Sequence, residues 1–147
     1  MHIFLGADHR GFELKNRILD WFKDHSIPCT DFGAYNYDAE DDYNDYAKQI
    51  AHAILEKQEP QTFGILVCGS AQGVAMQANR FKGIRAAICD TPSDAAETRG
   101  HNDANILCIP ADHQHDNDFA DIIDSFLQSS PLPDEKYQRR NQKLDED

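Results

Sequence analysis

Cys68 closes the apolar run Thr62-Phe63-Gly64-Ile65-Leu66-Val67-Cys68 and stands directly before Gly69-Ser70-Ala71-Gln72-Gly73. A strand that ends in a cysteine just ahead of a helix puts the sulfur near the positive end of the helix dipole, which favours thiolate over thiol. A thiolate there can serve as nucleophile or general base. The alternative is a reduced structural cysteine, the reading taken for Cys89 and Cys108, and strand position alone allows both. The small, glycine-flanked loop after Cys68 can turn several backbone N–H groups toward an anion. It lacks the Gly-Lys-Ser/Thr ending of a Walker loop and the G-x-G-x-x-G dinucleotide spacing, and an ordinary strand-to-helix turn has the same composition.

Asp8-His9 follows the first apolar run. A carboxylate beside an imidazole can bind hydroxyls or steer a proton, and Asp8 can equally cap the helix that follows. His101-Asn102-Asp103 falls in a loop between a helix and a strand, where His101 is either functional or an ordinary surface histidine. His25, His52, His113 and His115 read as surface positions with no partner. Lys136, Arg139 and Arg140 form the one basic cluster, either a solvated helix face or an anion clamp.

These residues need a scaffold, and the hydropathy pattern predicts one. His2 to Ala7 reads as a strand, Gly11 to His25 as a helix, Pro28 to Phe32 as a short strand and Tyr43 to Lys57 as a helix. Thr62 to Cys68 is the clearest strand, with a helix over Val74 to Arg80. Gly83 to Cys89 and Asn105 to Ile109 read as strands; Pro92 to Arg99, Asp118 to Leu127 and Glu135 to Leu144 read as helices. Alternation of this kind implies right-handed βαβ crossovers and a mostly parallel five-stranded sheet covered on both faces, a three-layer α/β sandwich. Ligands of such sheets sit beyond the carboxyl ends of the strands, which places Ala7-Asp8-His9, Cys68-Gly69-Ser70 and Cys89-Asp90-Thr91 on one rim. With no repeat or linker in 147 residues, the expectation is one domain over 1–147.

The formal net charge is −12, from 26 acidic and 14 basic side chains. That field repels phosphate backbones and argues against nucleic acid, and a small anionic substrate would need a positive site built against it. The acidic stretches over 38–45, 112–124 and 145–147 read as solvated surface. Neither a membrane span nor a secretory signal is supported. Four cysteines without CxxC spacing argue against zinc and point to a reducing cytoplasm.

Taken together, Ala7-Asp8-His9-Arg10-Gly11-Phe12-Glu13-Leu14-Lys15, Asp42-Tyr43-Asn44-Asp45-Tyr46-Ala47, Cys68-Gly69-Ser70-Ala71-Gln72-Gly73-Val74-Ala75-Met76 with Ala78-Asn79-Arg80, Gly83-Ile84-Arg85-Ala86-Ala87 and Arg99-Gly100-His101-Asn102-Asp103-Ala104-Asn105 resemble, in order, the blocks of the ribose-5-phosphate isomerase B and LacAB sugar-phosphate isomerase family. The resemblance spans essentially the whole chain, and the Cys-Gly-Ser block combined with His-Asn-Asp is its specific part. It implies a flavodoxin-like or Rossmann-like sandwich, a homodimer or homotetramer with sites between subunits, and no metal or other cofactor. The implied reaction interconverts an aldose phosphate and a ketose phosphate, D-ribose 5-phosphate and D-ribulose 5-phosphate, through a cis-enediolate.

By that resemblance Cys68 takes the C2 proton and returns it at C1, and Ser70 assists near the substrate hydroxyls. Gly69, Ser70, Ala71, Gln72 and Gly73 supply backbone donors to the developing oxyanion. His101 opens the furanose ring with Asn102 beside it, Asp8 and His9 bind the sugar and its phosphate, and Tyr43 lines the pocket. Lys136 and Arg140 align with phosphate-binding arginines and are expected to reach across a dimer interface, with residues 131–147 forming part of it. Two departures stand out. Ala71 replaces a common glycine, and Asp112 stands where many members carry a phosphate-binding arginine, so an acid there either repels phosphate or marks a rebuilt clamp. The same chemistry on allose 6-phosphate, galactose 6-phosphate or a free aldose is the alternative among enzymes; a non-catalytic phosphosugar-binding module is the alternative outside them.

Overall fold

The structure, a computed structural model, describes residues 1–115 and 118–146. Asp116 and Asp147 of the acidic runs lie outside those residues. The elements run β1 (His2–Ala7), α1 (Phe12–Asp24), β2 (Thr30–Asp31), α2 (Tyr43–Lys57), β3 (Thr62–Cys68), α3 (Gln72–Ala78), β4 (Ala86–Ile88), α4 (Pro92–Asn102), β5 (Ile106–Pro110), α5 (Asp118–Gln128) and α6 (Glu135–Leu144), with one 3-10 turn at Ala111–His113. All strand pairs are parallel, in the order β2-β1-β3-β5-β4. The five-stranded parallel sheet and three layers expected from the alternation are therefore present.

β3 is buried at every residue, as a central strand of a doubly covered sheet must be. Its side chains alternate between two cores. Phe63, Ile65 and Val67 join Ile18, Phe22, Ile122 and Phe126 on the face carrying α1, α4 and α5. Leu66 and Cys68 join Ile50, Ala51 and Val74 on the face carrying α2 and α3. The helix after β1 thus goes to one face and the helix after β3 to the other. Adjacent parallel strands whose following helices diverge leave a crevice at their carboxyl ends, the position where ligands bind such sheets.

Gly11 shows how tightly that crevice is built. A Cβ there would overlap the Val67 carbonyl, so only glycine lets the start of α1 lie against the end of β3.

Four elements differ from the sequence reading by more than one residue. β4 is shorter than Gly83–Cys89 because side chains take its backbone groups. Asn79 holds both the N–H and the carbonyl of Ala86, at 2.8 and 2.9 Å, and Asn105 holds the Arg85 N–H and the Gly83 carbonyl. β2 contracts to Thr30–Asp31 at the sheet edge. α3 begins two residues early, at Gln72. α4 continues through Gly100 to Asn102, so His101 and Asn102 end a helix rather than sit in a loop; Asp103 stops it in the left-handed region at φ 47°. Arg99 ties that stop down by donating to Asp103 Oδ1 at 2.6 Å and to the Ala104 carbonyl at 2.9 Å.

Candidate active site at the β1–β3 switch point

Asp8 and Cys68 meet across the crevice. Asp8 lies one residue past β1, is 3% exposed, and its Oδ1 accepts from the backbone N–H of Arg10 at 3.0 Å and Gly11 at 3.1 Å. It therefore organises the turn into α1, as the capping alternative anticipated, although the helix's N-cap residue is Gly11. Its Oδ2 accepts from Cys68 Sγ at 3.1 Å.

The expected thiolate at Cys68 is not the resting form. Burial pushes the thiol up to about 12, and the hydrogen bond to Asp8 and that carboxylate's charge add to the rise. The backbone N–H groups of Gly69 and Ala71 act in the opposite direction, as the helix-start argument requires. They do not outweigh a desolvated sulfur facing a carboxylate. The structure thus presents a thiol whose proton already points at an acceptor.

His9 is the opposite case. Its Nδ1 lies 2.6 Å from Asp41 Oδ1, which also accepts the His9 backbone N–H at 3.1 Å. Tyr46 donates its hydroxyl to Asp41 Oδ2 at 3.0 Å. The hydrogen bond to Asp41 raises His9 above its ordinary value of 6.5, so the ring holds a proton, and its charge, to higher pH. Asp41 belongs to the stretch read as solvated surface, yet its side chain is 8% exposed. Composition hides it, because nothing in an acidic run distinguishes the member that folds inward.

The loop after Cys68 is as small as it needs to be. Gly69 is buried, with the Arg10 guanidinium over it, and Ser70 and Gln72 are exposed. Ala71 holds φ 61° as the residue preceding α3, which is why glycine suits that position. The Tyr43 ring occupies the space a Gly73 side chain would fill, 2.6 Å from its Cβ position, so Tyr43 does stand at this loop.

Asp112, the unexpected acid, is ion-paired with Arg10, and its backbone N–H donates to the Gly69 carbonyl at 3.0 Å. The charge expected to repel a phosphate is thus neutralised by a cation one residue past His9. His113 lies on the surface as expected but has a partner there, Asp90 at 3.0 Å.

His101, Asn102, Lys136 and Arg140 are not at this rim. α4 runs back along the sheet, so its last residues precede the start of β5, whereas Cys68 is in register with Pro110 at the end of β5. β5 has five residues, which separates the two groups by roughly 15 Å. His101 stacks on Tyr137 of α6 with ring centroids 4.7 Å apart, and Asn141 donates to its carbonyl at 3.2 Å. Tyr137, Asn141 and Leu144 form the stripe of α6 nearest α4, while Lys136 and Arg140 stand exposed on the adjacent stripe. One chain therefore carries two separate halves of the expected site.

Asp8, His9 and Asp41 bring one potential metal-ligand atom each within 4.8 Å of one another. His9 Nδ1 and Asp41 Oδ1 already hydrogen-bond each other, and both carboxylate oxygens of Asp8 already accept from the protein.

A parallel α/β sheet whose switch point holds a thiol–carboxylate pair, an imidazole hydrogen-bonded to a carboxylate and a turn rich in backbone donors defines an enzyme scaffold for small anionic ligands. The chain belongs to the ribose/galactose isomerase family, whose model matches residues 3–144. It is 36% identical over 143 residues to a probable ribose-5-phosphate isomerase B of Mycoplasma genitalium, covering 97% of this chain and 93% of the other. It is 35% identical to the ribose-5-phosphate isomerase B of Mycobacterium tuberculosis, covering 95% and 85%. Among solved structures, the ribose 5-phosphate isomerase of Thermotoga maritima superposes with a TM-score of 0.92 at 38% identity, covering 99% and 98%. The Mycoplasma genitalium enzyme with bound ribulose-5-phosphate superposes with a TM-score of 0.90 at 35% identity, covering 97% and 93%. No described helix is long and apolar enough to cross a membrane.

Proposed function

We propose that this chain interconverts D-ribose 5-phosphate and D-ribulose 5-phosphate, with Cys68 as the group that moves the proton. The observation that carries the reading is the Cys68–Asp8 contact of 3.1 Å at the switch point, with the His9–Asp41 pair on the same rim.

A thiol this weakly acidic needs an acceptor before it can act as a base. Asp8 supplies one: the S–H proton passes to Asp8 Oδ2, and the thiolate takes the C2 proton of the open-chain aldose. The electron pair of the C2–H bond forms the C1–C2 double bond as the C1 carbonyl pair moves onto O1, and the O2 hydroxyl proton passes to O1, so that the enediolate collapses to the C2 carbonyl when C1 is protonated. Backbone N–H groups of Gly69 to Gly73 stabilise its negative charge. Cys68 then gives its proton to C1, and Asp8 returns the first proton to sulfur, leaving the pair as it began. Ser70 and Tyr43 serve the sugar hydroxyls, and His9, held protonated by Asp41, serves the phosphate.

Ring opening by His101, with Asn102, Lys136 and Arg140 beside it, requires a second copy of the chain. These residues sit too far from Cys68 within one subunit, and an isologous dimer would bring each half site to its complement twice. The segment 131–147 contributes to that interface. The reaction as drawn uses no metal or other cofactor, and it belongs in the cytoplasm, where four free thiols stay reduced.

The test is turnover of D-ribose 5-phosphate by purified protein with chelator present, beside allose 6-phosphate, galactose 6-phosphate and free ribose. Pentose-phosphate turnover is expected, with Cys68→Ala at least about a thousandfold slower but still binding substrate. Turnover of another sugar alone would move the substrate and keep the chemistry, while wild-type turnover by Cys68→Ala would remove Cys68 from its role.

A further inference from the structure

The geometry points to Arg10 as an anion-binding residue of this site, a phosphate anchor held in place by Asp112; the inference rests on the sugar-phosphate reading above. Arg10 follows His9 directly, and its guanidinium lies over Gly69, with Nε 2.5 Å from where a Gly69 side chain would begin. The guanidinium therefore stands at the mouth of the crevice, next to the loop that would face the reacting carbons. Among the described residues, only its Nη2 has a side-chain partner, Asp112. Nε and Nη1 are left to bind something else, and the side chain is 56% exposed.

Asp112 is placed for holding rather than for repulsion. Its backbone donates to the Gly69 carbonyl, so the acid is anchored to the loop that the guanidinium covers. One carboxylate oxygen on one end of a guanidinium fixes the plane of the fork and leaves the other donors presented. His9, protonated through Asp41, adds a second positive group on the neighbouring residue. In a chain of net charge −12, two adjacent cations at the carboxyl end of β1, each oriented by a carboxylate, form a local site for a dianion.

The rival explanation is a brace: an ion pair that merely joins the turn after β5 to the turn after β1. Two variants separate them. Arg10→Leu is expected to raise the KM for D-ribose 5-phosphate about tenfold or more, the scale of a lost charge-assisted hydrogen bond, with a smaller change in kcat. Asp112→Asn removes the ion pair and a negative charge but leaves an amide oxygen that can still accept from Nη2 and orient the fork, so its KM is expected to fall. A brace predicts the same direction and size for both variants, and that outcome, or an unchanged KM in Arg10→Leu, overturns the proposal.

Inorganic phosphate provides a readout independent of turnover. It should raise the melting temperature of the wild-type protein, and that rise should shrink in Arg10→Leu and grow in Asp112→Asn. A wild-type protein that turns over no pentose phosphate but shows this pattern would end the ribose 5-phosphate assignment and leave Arg10 as an anion site. An active wild type with equal phosphate stabilisation in both variants would do the reverse.

Discussion

At the residue scale, carboxylates push both rim groups toward their protonated forms, adding to burial at Cys68, and with opposite results for charge. Asp8 faces a buried thiol and keeps its proton on; Asp41 faces an imidazole and keeps its charge on. The second has a consequence for pH. Because His9 is raised above 6.5, its positive charge is present below that raised value and is lost as pH climbs through it. If His9 serves the phosphate, the KM for D-ribose 5-phosphate should rise along that limb. Asp41→Asn removes the largest cause of the shift, so the rise should begin at lower pH than in the wild type, measured across about pH 6 to 9. A KM profile that does not move would detach His9 from phosphate binding. Sequence alone shows Asp8, His9 and Cys68 as candidates, because chemistry-bearing types at strand ends are conspicuous. It does not show Asp41 or Arg10. Their importance comes from contacts spanning 32 and 102 positions, and no local pattern encodes those.

At the scale of elements, the legible features are those with strong hydrophobic periodicity. α2 and β3 take the expected bounds to the residue, since α2 has a clean inner stripe and β3 an unbroken apolar run. β4 and the end of α4 are less legible because their limits are set by long-range hydrogen bonds from Asn79, Asn105 and Arg99. Gly100 illustrates the trap. A glycine near a helix end usually marks its stop, yet here it lies inside α4, where a Cβ would lie 3.5 Å from Leu132 Cγ and the glycine's carbonyl accepts the Leu132 N–H at 2.9 Å. The turn into α3 carries a clearer energetic signal. Ala71 at φ 61° is in a region that costs an L-residue about 1–2 kcal/mol and costs glycine little. Glycine also gains freedom in the unfolded chain, worth roughly 0.4–1 kcal/mol against folding. Ala71→Gly should therefore be neutral to about 1 kcal/mol stabilising, where the same change inside a helix is destabilising by a similar amount. Denaturant unfolding measures it, and a clear loss of stability would mean the buried Ala71 methyl contributes more packing than the backbone strain subtracts.

At the scale of the whole molecule, the sheet's polarity dictates assembly. Helices return along strands, so residues at the end of α4 and on α6 cannot reach the carboxyl rim of the same sheet, whatever their chemistry. Arg85 fixes the arrangement by donating to the Asn102 and Asp103 carbonyls at 3.0 Å and to Asp145 at 2.7 Å, which ties α4 to the end of α6. A site that needs both Cys68 and His101 must then draw them from different chains. The consequence is complementation between two inactive variants. Cys68→Ala and His101→Ala chains, co-expressed with different tags and purified through both, should form hybrid dimers. Each holds one site with both residues altered and one with both intact. Such hybrids should recover about half of the wild-type turnover, while each parent alone stays near its own low level. Hybrids no more active than their parents would mean that His101 serves the Cys68 of its own chain, or no Cys68 at all. In that case the second half site would be a separate feature of α4 and α6, and the catalytic set would end at the residues of the β1–β3 crevice.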